Sequence, residues 1–200
     1  MGDFVVGRAE LVRALDEALD DSAVVFCGLG SASRAWRELE SPRPTYYASD
    51  PMGMALPLAA GFAMSRPDRL VALVIGDGDL LMGLGSLVTV AGAAPSNLRV
   101  FLAANGRYET GGGQPVPGDA VDLVSMVTAA GWPRAAWSGE DLDRSVVESI
   151  GSDQLALLGV AVASEPAPYG GPGRWSGIEE RMLFELRLAD GAGTERGRED

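Results

Sequence analysis

Two short apolar runs constrain this chain more than any other feature. Leu70-Val71-Ala72-Leu73-Val74-Ile75 has no polar side chain, and Leu98-Arg99-Val100-Phe101-Leu102-Ala103-Ala104 has one. A strand with one wet face alternates apolar and polar residues, whereas nearly continuous runs of this length belong to parallel strands covered on both faces. Covering both faces takes helices on each side. The runs therefore predict an α/β fold, a single three-layer domain with a parallel sheet flanked by helices. Gly76-Asp77-Gly78 ends the first run, and Asn105-Gly106-Arg107-Tyr108 follows the second. Parallel neighbours emerge at the same edge, where open α/β sheets bind ligands. Asp77 and Asn105 are thus a carboxylate and a carboxamide placed where one hard cation could bridge them.

The rest of the chain alternates helical and strand patterns. Leu11, Leu15 and Leu19 form one apolar face over residues 8–20, between charged neighbours, which predicts an amphipathic helix. Residues 23–27 read as a strand, 28–33 as a loop, and 34–39 as a helix broken by Ser41-Pro42-Arg43-Pro44. A buried helix is expected over 53–65, with Pro57 within its first turn or so. Further helices are expected over 79–94, 119–130 and 178–188, and a strand over 155–163. The Gly/Pro-rich stretches 107–118 and 166–173 read as loops without regular structure. Residues 1–189 make one domain in this reading, and the charged tail 190–200 is expected to fray.

Composition narrows the chemistry. The 200 residues include 16 arginines but neither lysine nor histidine, and the formal charge is −12. That charge argues against a nucleic-acid partner, whose recognition rests on a basic footprint. Without histidine, acid–base work falls to carboxylates, tyrosine, a cofactor or another chain. Cys27 is the only cysteine, which excludes a disulfide framework and an iron–sulfur cluster. No run reaches the length of a membrane helix, so the chain reads as soluble and cytoplasmic. Gly28-Leu29-Gly30 after a strand could open a dinucleotide fingerprint, but Ser33 stands where the third glycine belongs.

Magnesium takes one or two protein carboxylates and fills its shell with phosphate and water oxygens. Asp77 and Asn105 fit that economy. The glycines beside Asp77 allow a tight turn and expose backbone N–H groups at a helix start, a setting that suits a diphosphate. Because the whole chain repels polyanions, such a ligand needs the metal.

The sequence resembles the thiamine-diphosphate-dependent enzymes, whose cofactor motif is Gly-Asp-Gly followed, after a spacer, by Asn-Asn or Asp-Asn. Asn105-Gly106-Arg107-Tyr108-Glu109-Thr110-Gly111-Gly112-Gly113-Gln114-Pro115 is similar to the corresponding segment of the sulfopyruvate and phosphonopyruvate decarboxylases, as are Pro51-Met52-Gly53-Met54-Ala55 and Gly30-Ser31-Ala32-Ser33-Arg34. The resemblance spans residues 8–188. It implies that the side chains of Asp77 and Asn105 and the carbonyl of Arg107 hold magnesium, and that Gly78 and Asp79 offer amides to the diphosphate. Gly76, Gly53 and Tyr108 fall within the cofactor motifs. Met52 matches the bulky residue that wedges under the cofactor, and Asp50 the carbonyl that receives its amino group. Arg174 stands where a guanidinium could pair with an anionic substrate.

Ala104 replaces the usual Asn or Asp, Asp79 replaces Ser or Ala, and Asp50-Pro51 replaces Gly-Ser. Asp79 either caps its helix or weakens the cofactor site. Family enzymes also carry a pyrimidine-binding module with an activating glutamate, for which this chain has no room. The resemblance therefore implies a split enzyme, an α2β2 assembly with a pyrimidine-binding partner subunit, that decarboxylates a small anionic 2-oxo acid. A carboligase subunit of the acyloin or acetolactate type, and a non-catalytic scaffold, are the alternatives.

Overall fold

A computed structural model describes residues 4–48, 51–117, 121–165 and 177–193. Its elements in order are β1 (Val5–Val6), α1 (Arg8–Ala18), β2 (Val24–Cys27), α2 (Ser31–Glu38), β3 (Thr45–Tyr47), α3 (Ala55–Ser65), β4 (Val71–Gly76), α4 (Asp77–Met82), α5 (Leu84–Ala93), β5 (Leu98–Ala104), β6 (Arg107–Tyr108), β7 (Gln114–Pro115), α6 (Leu123–Ala129), β8 (Arg134–Trp137), α7 (Leu142–Ile150), β9 (Ala156–Val162) and α8 (Gly177–Gly193). Seven strands form one sheet in the order β1-β9-β5-β4-β2-β3, with β8 also paired to β9. Every pair in this sheet is parallel. β8 lies along the first half of β9 and β1 along its second half.

The two apolar runs are β4 and β5, neighbours at the centre of the sheet. Alternate residues feed two cores. Val71, Leu73 and Ile75 face α3, α5, α6 and Phe184 of α8, while Ala72 and Val74 face α1, α2 and α7. The one charged residue in these runs, Arg99, is buried near the start of β5, far from the carboxyl edge, with its guanidinium satisfied by the carbonyls of Ser96, Leu98, Ile150 and Ser152. Cys27 is buried at the end of β2, and its thiol is pushed well above the ordinary range by burial.

Helix ends follow local chemistry. Asp122 caps α6 by accepting the amides of Val124 and Ser125, and Asp141 caps α7 through the Arg144 amide, each satisfying donors that the first turn leaves open.

Several features depart from the sequence reading. α2 starts at Ser31, inside the expected 28–33 loop, and α6 starts only at Leu123, where Asp122 caps it. The expected helix over 79–94 is two helices, α4 and α5, broken at Gly83, because the backbone of Gly53 packs directly on that residue. The 107–118 stretch contains a short antiparallel pair, β6 with β7, and a 3-10 turn over Glu109–Gly111. α8 runs to Gly193, past residue 188. β1, β3, β8 and α7 have no counterpart in the sequence reading; the strands are too short to show a period, and β8 is partly exposed. Among the described residues no helix is long and apolar enough to cross a membrane.

Candidate functional site

The carboxyl ends of β4 and β5 meet as the apolar runs require: Gly76 is paired with Ala103, and the chain turns from Gly76 straight into α4. Asp77 is therefore the first residue of that helix. Its carboxylate is 3% exposed. Oδ1 accepts the Gly78 amide at 2.8 Å, and Oδ2 accepts the Gly106 amide at 2.7 Å. One carboxylate thus ties together the two strand ends. Asn105 folds back on its own turn, Oδ1 accepting the Arg107 amide at 2.9 Å, a local bond of the kind that lets asparagine hold tight turns.

Burial pushes the Asp77 carboxyl above its ordinary value, and the amides of Gly106, Gly78 and Asn105 pull it partway back. All the groups that lower it are backbone amides; no guanidinium contributes. A buried carboxylate held only by dipoles is short of positive charge, which a cation supplies. Carboxylate, carboxamide and backbone carbonyls are hard oxygen donors suited to magnesium. Among the described residues no group of three or more His, Cys, Asp or Glu side chains gathers as a metal site.

Beside Asp77 lies a narrow groove, bordered by the turn after β2, by Met52 and by the loop after β5. Met52, Gly76, Asp77, Gly78, Asp79, Asn105, Arg107 and Tyr108 all line it. The structure thus gathers most of the site residues expected from sequence into one place. Gly53 is not among the groove-lining residues; its amide is bonded to Asp79 and its backbone packs on Gly83. Its φ of +85° and this close approach both require glycine. Gly78 is fixed by a different contact, since a Cβ there would lie 2.6 Å from the Tyr108 ring. Asp50 and Arg174 lie outside the described residues.

Asp79 is the third residue of α4, whose N-cap is Gly76. It is not the cap of that helix. Its Oδ1 accepts the amide of Gly53, and burial raises its carboxyl above the ordinary value.

The sequence reading assigned no role to the anchor of the groove's outer loop. Glu109, next to Tyr108, forms an ion pair of 2.7 Å with Arg8 at the start of α1, and Arg8 also reaches Glu165 at 3.2 Å. Both side chains of the first pair are nearly buried, so it is shielded from solvent and salt. The partners are 101 positions apart, and no local pattern announces such a bond. Ser31 and Ser33 at the start of α2 also line the groove, and Ser33 donates its hydroxyl to the Gly28 carbonyl. The Gly30-Ser31-Ala32-Ser33 segment was the available signal.

Residues 28–160 match the family model described as the thiamine pyrophosphate enzyme, C-terminal TPP binding domain. The chain is 36% identical over 168 residues to a phosphonopyruvate decarboxylase of Streptomyces viridochromogenes, covering 83% of this chain and 41% of that protein. It is also 36% identical over 129 residues to sulfopyruvate decarboxylase subunit beta of Methanothermobacter thermautotrophicus, covering 64% of this chain and 69% of that one. The crystal structure of benzoylformate decarboxylase from Polynucleobacter necessarius superposes with a TM-score of 0.70 at 18% identity, over 80% of this chain and 34% of that one, a likeness of fold.

Proposed function

The chain belongs to the thiamine pyrophosphate enzymes as their C-terminal TPP-binding domain, and from that premise we propose that it is the diphosphate- and magnesium-binding subunit of a two-component 2-oxo acid decarboxylase. The observation that carries the reading is the buried Asp77 carboxylate, which joins the ends of β4 and β5 and has only backbone amides around it. Asp77, Asn105 and the Arg107 carbonyl would hold the cation, and the amides of Gly78 and Asp79 at the start of α4 would face the diphosphate. Met52 would pack against the organic part of the cofactor from the groove wall. When bound, thiamine diphosphate supplies a carbon nucleophile and an electron sink for the departing carboxylate. Decarboxylase names on the relatives, phosphonopyruvate and sulfopyruvate among them, support a small anionic 2-oxo acid as substrate.

Two observations support a partner. The described residues offer no glutamate among the groove-lining side chains except Glu109, and that one is committed to Arg8. The acid–base group for the pyrimidine ring must then come from elsewhere, and one relative is itself named a beta subunit. In addition, α3 and α5 carry exposed apolar side chains, Leu58, Met64 and Val88, with Met54 just before α3 and Met82 at the end of α4, as a surface does that is covered in an assembly.

The test is calorimetry on the chain with its co-purified partner. Thiamine diphosphate is expected to bind only with magnesium present, and carbon dioxide release from a panel of 2-oxo acids is expected only from the pair. Metal-independent binding, or turnover by the single chain, would remove the proposal.

A further inference from the structure

The structure gives the Asp79 carboxylate a use of its own, apart from the edge where Asp77 sits. The side chain is as buried as that of Asp77. Oδ1 accepts the Gly53 amide, the Leu29 amide also holds the carboxyl down, and Oδ2 lies so close to Gly28 that a Cβ there would collide with it. One carboxylate is therefore lodged between α4, the turn after β2 and the Met52–Gly53 turn. The last of these is held from its other side by Gly83, whose Cα lies against the Gly53 backbone. Met52, one residue before the bonded amide, lines the groove. A buried negative charge beside a site for an anion is unfavourable by Coulomb's law, so its burial calls for a compensating role.

We propose that Asp79 is a positioning residue: by gripping the Gly53 amide it fixes Met52 in the groove wall, and so sets the fit of the ring portion of the ligand and not of its diphosphate. The inference rests on the cofactor reading of this groove.

Two neutral variants isolate the grip from the charge. Asp79→Ala and Asp79→Asn both remove the negative charge, so both are expected to tighten inorganic diphosphate with magnesium to the same degree. Only the alanine loses the acceptor for Gly53. In the complex with its partner, the affinity for thiamine diphosphate relative to inorganic diphosphate is expected to drop about tenfold in Asp79→Ala compared with Asp79→Asn, the scale of one unmade buried hydrogen bond. Equal ratios in the two variants overturn the proposal.

A second measurement needs no ligand. With methionine methyl groups labelled in 13C, the Met52 resonance is expected to move in Asp79→Ala and to stay near its wild-type position in Asp79→Asn. An unmoved Met52 signal in Asp79→Ala overturns the proposal, whether or not anything binds. Wild-type protein that binds neither ligand instead sinks the cofactor reading, and the Met52 signal then decides the positioning role separately. Asp79→Ser is read in the same way if Asp79→Ala does not fold, its hydroxyl stopping one bond short of the carboxylate oxygen.

Discussion

The helices on the two faces of the sheet are built to different rules. α1 and α7 cover one face with apolar residues inward, Leu11, Leu15, Leu142 and Val146, and charged residues outward, among them Arg13, Glu17, Arg144 and Glu148. That is how a helix between a core and water is patterned. α3 and α5, on the other face, contain no charged residue at all, and Val88 is nonetheless 65% exposed. A helix apolar on every side belongs in an interior. The first layer is a finished surface, whereas the second is left unfinished, with apolar side chains in the open. The candidate cofactor groove adjoins the unfinished layer, since Gly53, just before α3, is tied to Asp79 and to Gly83 at the head of α5.

The sharpest way to break this contrast is to put a charge on the apolar layer. Val88→Asp is expected to weaken association with the partner subunit by about 1,000-fold, because a carboxylate buried there without a partner costs several kcal/mol, while far-ultraviolet circular dichroism of the single chain is unchanged. The matching reversal on the finished layer, Arg13→Glu, should leave association as it was. Sedimentation velocity on the mixed subunits reads both, and an intact complex with Val88→Asp would make the α3/α5 surface an ordinary solvent face.

Core deletions test the inner sides of the same layers. Leu15→Ala, beneath α1, is expected to cost about 3 kcal/mol in urea unfolding of the single chain. The same cost should appear in the complex, because that layer meets only water. A cost that shrinks on adding the partner would place the interface on the wrong face.

At the edge between the layers, Asp77→Asn keeps the shape and one of the two amide contacts but removes the charge. Magnesium-dependent binding of thiamine diphosphate is expected to fall by about 100-fold, in line with loss of one partner of a buried charge pair. Calorimetry checks it, and unchanged affinity would detach the metal from this carboxylate.

The smallest effect lies just past the end of α3, where charge returns to the sequence. Arg66 binds Asp68 at 2.7 Å and holds its carboxyl down at about 2. A carboxyl lowered on folding contributes stability that is present above its ordinary value and is lost as pH falls through the folded one. Asp68→Asn should therefore slightly flatten the acid limb between pH 4 and pH 2 in a thermal-melt series, the exposed pair being screened by salt. An unaltered limb would assign that pair no role.

Much of the architecture was legible because it rests on patterns among near neighbours. A strand over 98–104 is both read and observed, since seven residues buried on both faces leave a run that no helix face of this composition imitates. The convergence of Gly76-Asp77-Gly78 with Asn105-Gly106 was legible for the same reason: parallel strands deliver their ends to one edge. The helix break at Gly83 was not. Nothing within 79–94 demands it, and the cause is Gly53, some thirty positions earlier. The hairpin in the 107–118 loop rests on only two paired residues per strand, below the length at which alternation carries information.

By itself, then, the sequence determined the α/β class, the central strands, and the sheet edge at which Gly76-Asp77-Gly78 and Asn105-Gly106 meet. It also determined that α3 and α5 carry no charge. Only the tertiary structure decided that the Asp79 carboxylate grips Gly53, that Arg8 anchors Glu109, and that the uncharged helices share an open face. Hydrophobic period reports which side of an element is buried, a property of the element alone. A hydrogen bond or ion pair between residues far apart depends on how packed elements orient two particular side chains, and that is settled only when the layers close on the sheet.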